Sequence, residues 1–232
     1  MTGFPRLSPV AERAVLVEFG DSIDAAVNAR VIALDRALAG RPFPGFVEAT
    51  PAYVNLLVEF DPLETTHAEA VAALEALIAA LPETTAGQGA LREVAVCYEG
   101  DLAPDLDSVA GQLGLSREAV IAAHLAGDYR VHMYGFAPGY AYLAGVPEAL
   151  RLPRKTQPVR DIRAGAVMIA GPQCLVSTLT MPTGWWLIGR SPTRILDPEG
   201  ARPFLFDVGD RVAFRRIDRA AYDRAMADGV PA

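Results

Sequence analysis

The feature that most constrains this chain is a change of texture near residue 129. Upstream, helical and strand periodicities alternate. Downstream, short apolar runs at 129–134, 166–170, 174–180, 185–190, 194–196 and 211–215 are separated by clusters of Gly and Pro. Helical spacing returns only in the tail, 218–228. Many short strands divided by turn signals predict a sandwich or a closed barrel. The phrase DVGDRVAF (207–214) reads as a turn at Gly209-Asp210 feeding a last strand, with Val212 and Phe214 facing inward.

The upstream half has a different logic. Val15, Val17 and Phe19 alternate as on a strand, then Ile23, Val27, Val31, Leu34 and Leu38 recur at helical spacing. Asp21 or Ser22 is positioned to cap that helix, and Gly40 with Pro42 to end it. Residues 46–50 and 53–60 read as two strands joined through Pro51-Ala52. Thr66-x-x-Glu69 is a capping-box signature that opens a helix over Val71, Leu74, Ile78 and Leu81. EVAVCY (93–98) is a further strand, open to either side of the boundary. The order is β-α-β-β-α-β, the ferredoxin-like pattern of an antiparallel sheet with two helices on one face. The polar segment ETTAGQGA (83–90) marks the boundary. Two short helices follow, one from Asp105 to Gly114 and one capped by Ser116 that carries His124.

Composition excludes several classes. The net charge of −7 disfavours a nucleic-acid partner, which would need a basic face. No run reaches the roughly 18 apolar residues of a membrane span, and the first residues lack the pattern of a secretory leader, so a cytoplasmic protein is expected. Cys97 and Cys174 form no CxxC pair, no disulfide is expected, and Cys97, within an apolar run, reads as a buried small hydrophobe. His67, His124 and His132 are scattered, so no metal site is expected. GxxxxGK[ST], GxSxG and a Ser/His/Asp set are lacking, so this chain alone does not read as a complete ATP-using or amide-cleaving enzyme.

Three segments concentrate chemistry. YGFAPGYAYLAGVP (134–147) joins flexible glycines to Phe136, Tyr140 and Tyr142, and reads equally as a binding loop or as scaffold. IAGPQCLVSTLTMPTGWWLIGRSP (169–192) places Gln173 among strands and sends Trp185 and Trp186 to opposite faces. Arg190 ends an apolar strand there and calls for an anion, either Asp197 or Asp207 within the chain or a substrate carboxylate. LPRKTQPVRDIRAG (152–165) carries Arg154, Arg160, Arg163 and Lys155, the one lysine in the sequence. It reads as a solvated loop or as a place where an amine meets an anion.

EATPAYVNLLVEFDP (48–62), residues 128–171 around MYGFAPGYAYLAG, and PTGWWLIGRSPTRILDP (182–198) together resemble the allophanate hydrolase subunit 1 and KipI family. That family includes the 5-oxoprolinase B-subunit (PxpB) proteins and subdomains C and D of the carboxyltransferase domain. The resemblance runs from about residue 8 to 217. It implies an α+β ferredoxin-like domain over 1–90, followed by a mainly β, cyclophilin-like barrel over 91–232.

Functionally, the resemblance implies one component of an ATP-dependent 5-oxoprolinase, supplying half of a shared active site. The expected companions are a second allophanate hydrolase-type subunit (PxpC-like) and a lactam-utilisation subunit (PxpA-like), with ATP bound at the level of the complex and a small lactam or amide as substrate. A carboxyltransferase subunit of a biotin-dependent urea carboxylase and a histidine kinase inhibitor are the alternatives. Gln173, Arg190 and Arg160 are the implied catalytic residues, and His132, Phe136, Pro138, Gly139, Tyr142 and Trp185 the implied substrate-binding ones. The chain departs from the family pattern at GPQCLVST (171–178), where Cys174-Leu175 replaces Thr-Gly, and at GYAYL (139–143).

Overall fold

The computed structural model describes residues 3–82 and 89–228, so most of the polar segment expected as the boundary, residues 83–88, lies outside the described residues. The chain divides into two compact units, 1–88 and 89–232.

The first unit contains β1 (Arg6–Val10), β2 (Ala14–Glu18), α1 (Ala25–Gly40), β3 (Phe46–Pro51), β4 (Asn55–Phe60) and α2 (His67–Ala79). Its sheet is antiparallel throughout, in the order β1-β2-β4-β3. Strand alternation buries Val15, Val17, Leu56, Val58 and Phe60 on one face, where they meet Val31, Leu34 and Leu38 of α1 and Ala70 and Leu74 of α2. Asp24, rather than Asp21 or Ser22, caps α1: its Oδ1 accepts from the N–H groups of Ala26 and Val27. Ile23 therefore lies outside the helix and is exposed. The capping box at Thr66 and Glu69 forms in both directions.

The element order of this unit is β-β-α-β-β-α, not β-α-β-β-α-β. The strand read at 93–98 is β5 (Leu91–Cys97), and it belongs to the second unit. Seven in-register parallel pairs with a strand near the other end of that unit hold it there. The place beside β2 is taken instead by β1, whose Pro9 suits a sheet edge.

After β5 the second unit runs through α3 (Leu106–Leu113), α4 (Arg117–Leu125), β6 (Tyr129–Tyr134), β7 (Ala141–Ala144), β8 (Val159–Ile162), β9 (Ala166–Ala170), β10 (Gln173–Val176), β11 (Met181–Thr183), β12 (Trp186–Arg190), β13 (Arg211–Ile217) and α5 (Arg219–Ala227). Seven of these strands close a barrel in the order β10-β7-β6-β13-β5-β12-β9, with β10 returning to β9. Only the β5–β13 pair is parallel. Residues 194–196, expected as a strand, make only an isolated bridge between Leu196 and Phe204.

Val94, Val131, Leu143, Val167, Ile169, Val176, Ile188 and Phe214 form one buried cluster with Leu106, Val109, Val120 and Ile121 of the two helices. His124 of α4 is fully buried within it, 4.5 Å from the Phe214 ring. Its Nδ1 lies 2.8 Å from the Tyr98 hydroxyl and its Nε2 3.6 Å from Cys174 Sγ. Burial pushes His124 down to about 3, so the ring is neutral at ordinary pH. The barrel is a packed core, not a channel.

The opposite faces of the same strands, Met168 and Leu175 among them, form a second cluster with Leu187, Trp185 and Tyr140. The two-stranded β8–β11 ribbon contributes Ile162 and Met181 to it.

Candidate functional site

Strand register separates the residues that sequence reasoning grouped together. Gln173 pairs with Ala170 at one end of β9, and Arg190 pairs with Ala166 at the other. Four residues of strand put them about 13 Å apart along the sheet. Arg160, on β8, is exposed and lines a separate depression of about 470 Å³ with Pro158, Thr180 and Met181. His132 is buried in β6, three strands from β12 around the barrel. Gln173, Arg190 and Arg160 thus do not converge within this chain.

The loop before β7 and the outer face of the barrel are aromatic. Tyr142 lies 5.5 Å from Tyr140 and 6.0 Å from Trp185, and Tyr140 is 5.4 Å from Phe136. Burial pushes Tyr140 up to about 12 and also raises Tyr142. Phe136 is 74% exposed and has φ +72°, an uncommon conformation for a bulky residue. Gly139 adopts φ +70°, and a Cβ there would press on Thr178 and Leu196. The carbonyl of Pro138 accepts a 2.7 Å hydrogen bond from the Thr178 hydroxyl. These contacts make 135–140 a fixed loop, not a loose one.

The two tryptophans do face opposite sides. Trp185 is buried in the outer cluster beneath the Arg154 guanidinium. Trp186 packs against the barrel core and donates its indole N–H to the Pro153 carbonyl at 2.8 Å. The Lys155 ammonium sits 5.2 Å over the Trp186 ring and pairs with Asp105 at 2.5 Å. Asp105 also accepts from the Leu187 N–H at 2.7 Å. The one lysine is therefore a structural tie between the 152–157 loop and the start of α3.

The Arg190 end is a cleft of about 500 Å³, walled by the β8–β9 turn, the end of β12, residues 191–198 and α5. Gly165 turns the chain there with φ +83°, and a Cβ on it would lie 2.5 Å from the Ser191 carbonyl oxygen, so the approach needs glycine. Arg163, Arg190, Arg194 and Arg219 line the cleft together with Asp101. Arg194 pairs with Asp197, and Arg219 with Asp101 and Asp223. Among the described residues no carboxylate lies within 4.0 Å of Arg163 or Arg190. Neither internal partner expected for Arg190 is available to it. Asp197 is held by its near neighbour Arg194, while Asp207 sits with Arg92 and Arg202.

Tyr222 of α5 lines the same cleft as Arg190. Burial raises the pKa of that phenol, and the charge of Arg190 pulls it back. Sequence reasoning missed Tyr222 and Asp101. The available signal was a single aromatic in an otherwise charged, small-residue helix, RAAYDRAMA.

Fold and cleft together define a barrel protein bearing an arginine-lined cleft. The chain belongs to the family of the carboxyltransferase domain, subdomain C and D, whose model matches residues 5–206. The 5-oxoprolinase B-subunit of Bacillus subtilis (strain 168) is 36% identical over 236 residues, covering 96% of this chain and 97% of that one. Among solved structures, TTHA0988 matches with a TM-score of 0.78 and 40% identity over 88% of this chain. The match takes in 40% of TTHA0988, so this chain spans under half of that protein. The Kluyveromyces lactis urea carboxylase matches with a TM-score of 0.77 over 94% of this chain and 22% of its own length. At 18% identity that likeness is one of fold.

Proposed function

We propose that this chain is the PxpB-type component of an ATP-dependent 5-oxoprolinase, which opens 5-oxo-L-proline to L-glutamate. The observation that carries the reading is its near full-length likeness to the 5-oxoprolinase B-subunit of Bacillus subtilis. The cleft supports it. Arg190, with Arg163 across from it, offers fork-shaped donors to the carboxylate of the lactam. Holding that carboxylate would aim the ring amide at groups supplied by other subunits, which turns binding energy into orientation.

The residues here do not fit a triphosphate cradle. The N-termini of α1, α2, α4 and α5 are occupied by the side chains of Asp24, Thr66, Ser116 and Asp218, and that of α3, which has no side-chain cap, carries the carboxylates of Asp105 and Asp107. ATP is therefore assigned to the complex, with PxpC-like and PxpA-like partners, and this chain is inactive alone. Gln173, at the far end of β9, and Tyr142 and Phe136 are assigned to surfaces that those partners complete. The first unit is read as a ferredoxin-like variant in which β1 fills the place of the usual last strand. A cytoplasmic location is consistent with the described residues, in which no helix is long and apolar enough to cross a membrane.

The family description favours one second reading, transfer of a carboxyl group from biotin. Co-expression with the subunits encoded beside it separates the two. The expected result is ATP hydrolysis dependent on 5-oxo-L-proline, with glutamate released, and only when all subunits are present. A folded, associated complex without that turnover overturns the assignment, and carboxybiotin-dependent turnover replaces it with the second reading.

A further inference from the structure

Helix α5 begins after residue 218, beyond the stretch that the family model matches, yet it forms one wall of the arginine-lined cleft. It is firmly seated. Asp218 caps it by accepting from the Ala221 N–H at 2.7 Å. Arg219 ties it to Asp101 at 2.6 Å and to Asp223 one turn on. Tyr222 is 7% exposed, and its ring packs with Cys97 and Leu102, flanked by Ile217 and Met226. The ring is therefore fixed, and it lines the same cleft as Arg190.

The chemistry of the lining is complementary. A guanidinium has donors and no acceptor, so neither arginine can take up the phenolic proton of Tyr222. That proton remains to be donated to a ligand. Burial keeps that proton on the oxygen at ordinary pH. The cleft thus presents two guanidinium forks, Arg163 and Arg190, and one neutral O–H on a rigid ring. A carboxylate, with about four lone-pair directions on two oxygens, can use all three.

We propose that Tyr222 is a substrate-binding residue that completes the carboxylate site of this chain and makes it selective for an acidic lactam over a neutral one. The proposal rests on the reading of the cleft as the seat of the lactam's carboxylate. It makes α5 a specificity element.

The test uses the assembled complex and Tyr222→Phe, which keeps the ring and removes only the hydroxyl. The KM for 5-oxo-L-proline is expected to rise about tenfold, the scale of one hydrogen bond to a charged group. The kcat and the KM for ATP stay within about twofold. The inhibition constant of 2-pyrrolidinone, the same lactam without the carboxylate, does not change, a contrast that a merely structural role for the ring would not produce. Should the Phe variant fold poorly, Tyr222→Leu removes the same hydroxyl, keeps an apolar side chain against Leu102, and is read in the same way. Arg190→Gln is measured in parallel. If Arg190→Gln raises the KM and the folded Tyr222 variant leaves it unchanged, the Tyr222 proposal fails while the cleft reading stands. If Arg190→Gln also leaves the KM unchanged, the cleft does not hold the carboxylate and both fall.

Discussion

The two ends of β9 handle positive charge in opposite ways. At the Ala170 end Lys155 is half-buried, stacked on Trp186 and neutralised by Asp105. At the Ala166 end Arg163 and Arg190 face a cleft, and the nearby carboxylates of Asp101 and Asp197 are committed to other arginines. The difference separates scaffold from site better than composition does. A cation with an internal partner fixes a loop, whereas a cation held in a concave wall without one is placed for a ligand.

The largest expected effect tests that contrast directly. Arg190→Ala in the assembled complex should lower kcat/KM for 5-oxo-L-proline by about a hundredfold or more, equivalent to about 3 kcal/mol, with the unfolding midpoint little changed. Gln173→Ala, at the other end, should lower it less than tenfold. Equal losses would mean that the partner subunits bring both ends into one site.

Asp105→Ala should do the reverse. It strands the Lys155 ammonium and the Leu187 N–H in a largely buried setting, and should cost about 3 kcal/mol in urea denaturation. The kcat/KM of the molecules that remain folded should be unchanged. A loss of activity larger than the loss of folded protein would place Asp105 in the site.

His124 sets the pH limit of the barrel that carries both ends. Its folded pKa, about 3, lies below the unfolded value of 6.5. The stabilisation is therefore fully present above about 6.5 and is lost as the pH falls toward 3. The unfolding free energy should drop by about 1.4 kcal/mol per pH unit across that window, about 2 kcal/mol by pH 5. A His124→Asn variant should flatten the slope. A wild-type profile without that slope would refute the neutral, buried histidine.

The smallest effect belongs to Arg154→Ala, which removes the guanidinium over Trp185 and should cost about 0.5–1 kcal/mol of stability.

Legibility from sequence follows burial and locality. The α2 capping box and the caps at Ser116 and Gly114 are readable because each is a local rule acting within a few residues. β6, β9 and β12 are readable from their apolar runs. β1 and β11 are not, because each contains a proline and pairs only on an edge or in a two-stranded ribbon, where the apolar signal is weak. β8 is hidden by its charges. Arg190 stands out as a charge ending an apolar strand, and its place in a cleft is legible to that extent. Its separation from Gln173 is not, since only strand register decides which end of β9 each one meets. Tyr222 is out of reach for the same reason: a helix residue 32 positions after Arg190 (222 minus 190) shares a cleft with it only through tertiary structure.

The parallel pairing of β5 with β13 bears on the order in which the protein can be made. Leu91 pairs with Arg211, a separation of 120 positions along the chain (211 minus 91). A polypeptide leaving the ribosome can form the first sheet and its two helices as soon as residue 79 has emerged, since every strand of that unit pairs with another of the same unit. The edge of β5 destined for β13 has to wait until residue 217 appears. During that interval the nascent chain presents an open sheet edge, the kind of surface that chaperones cover.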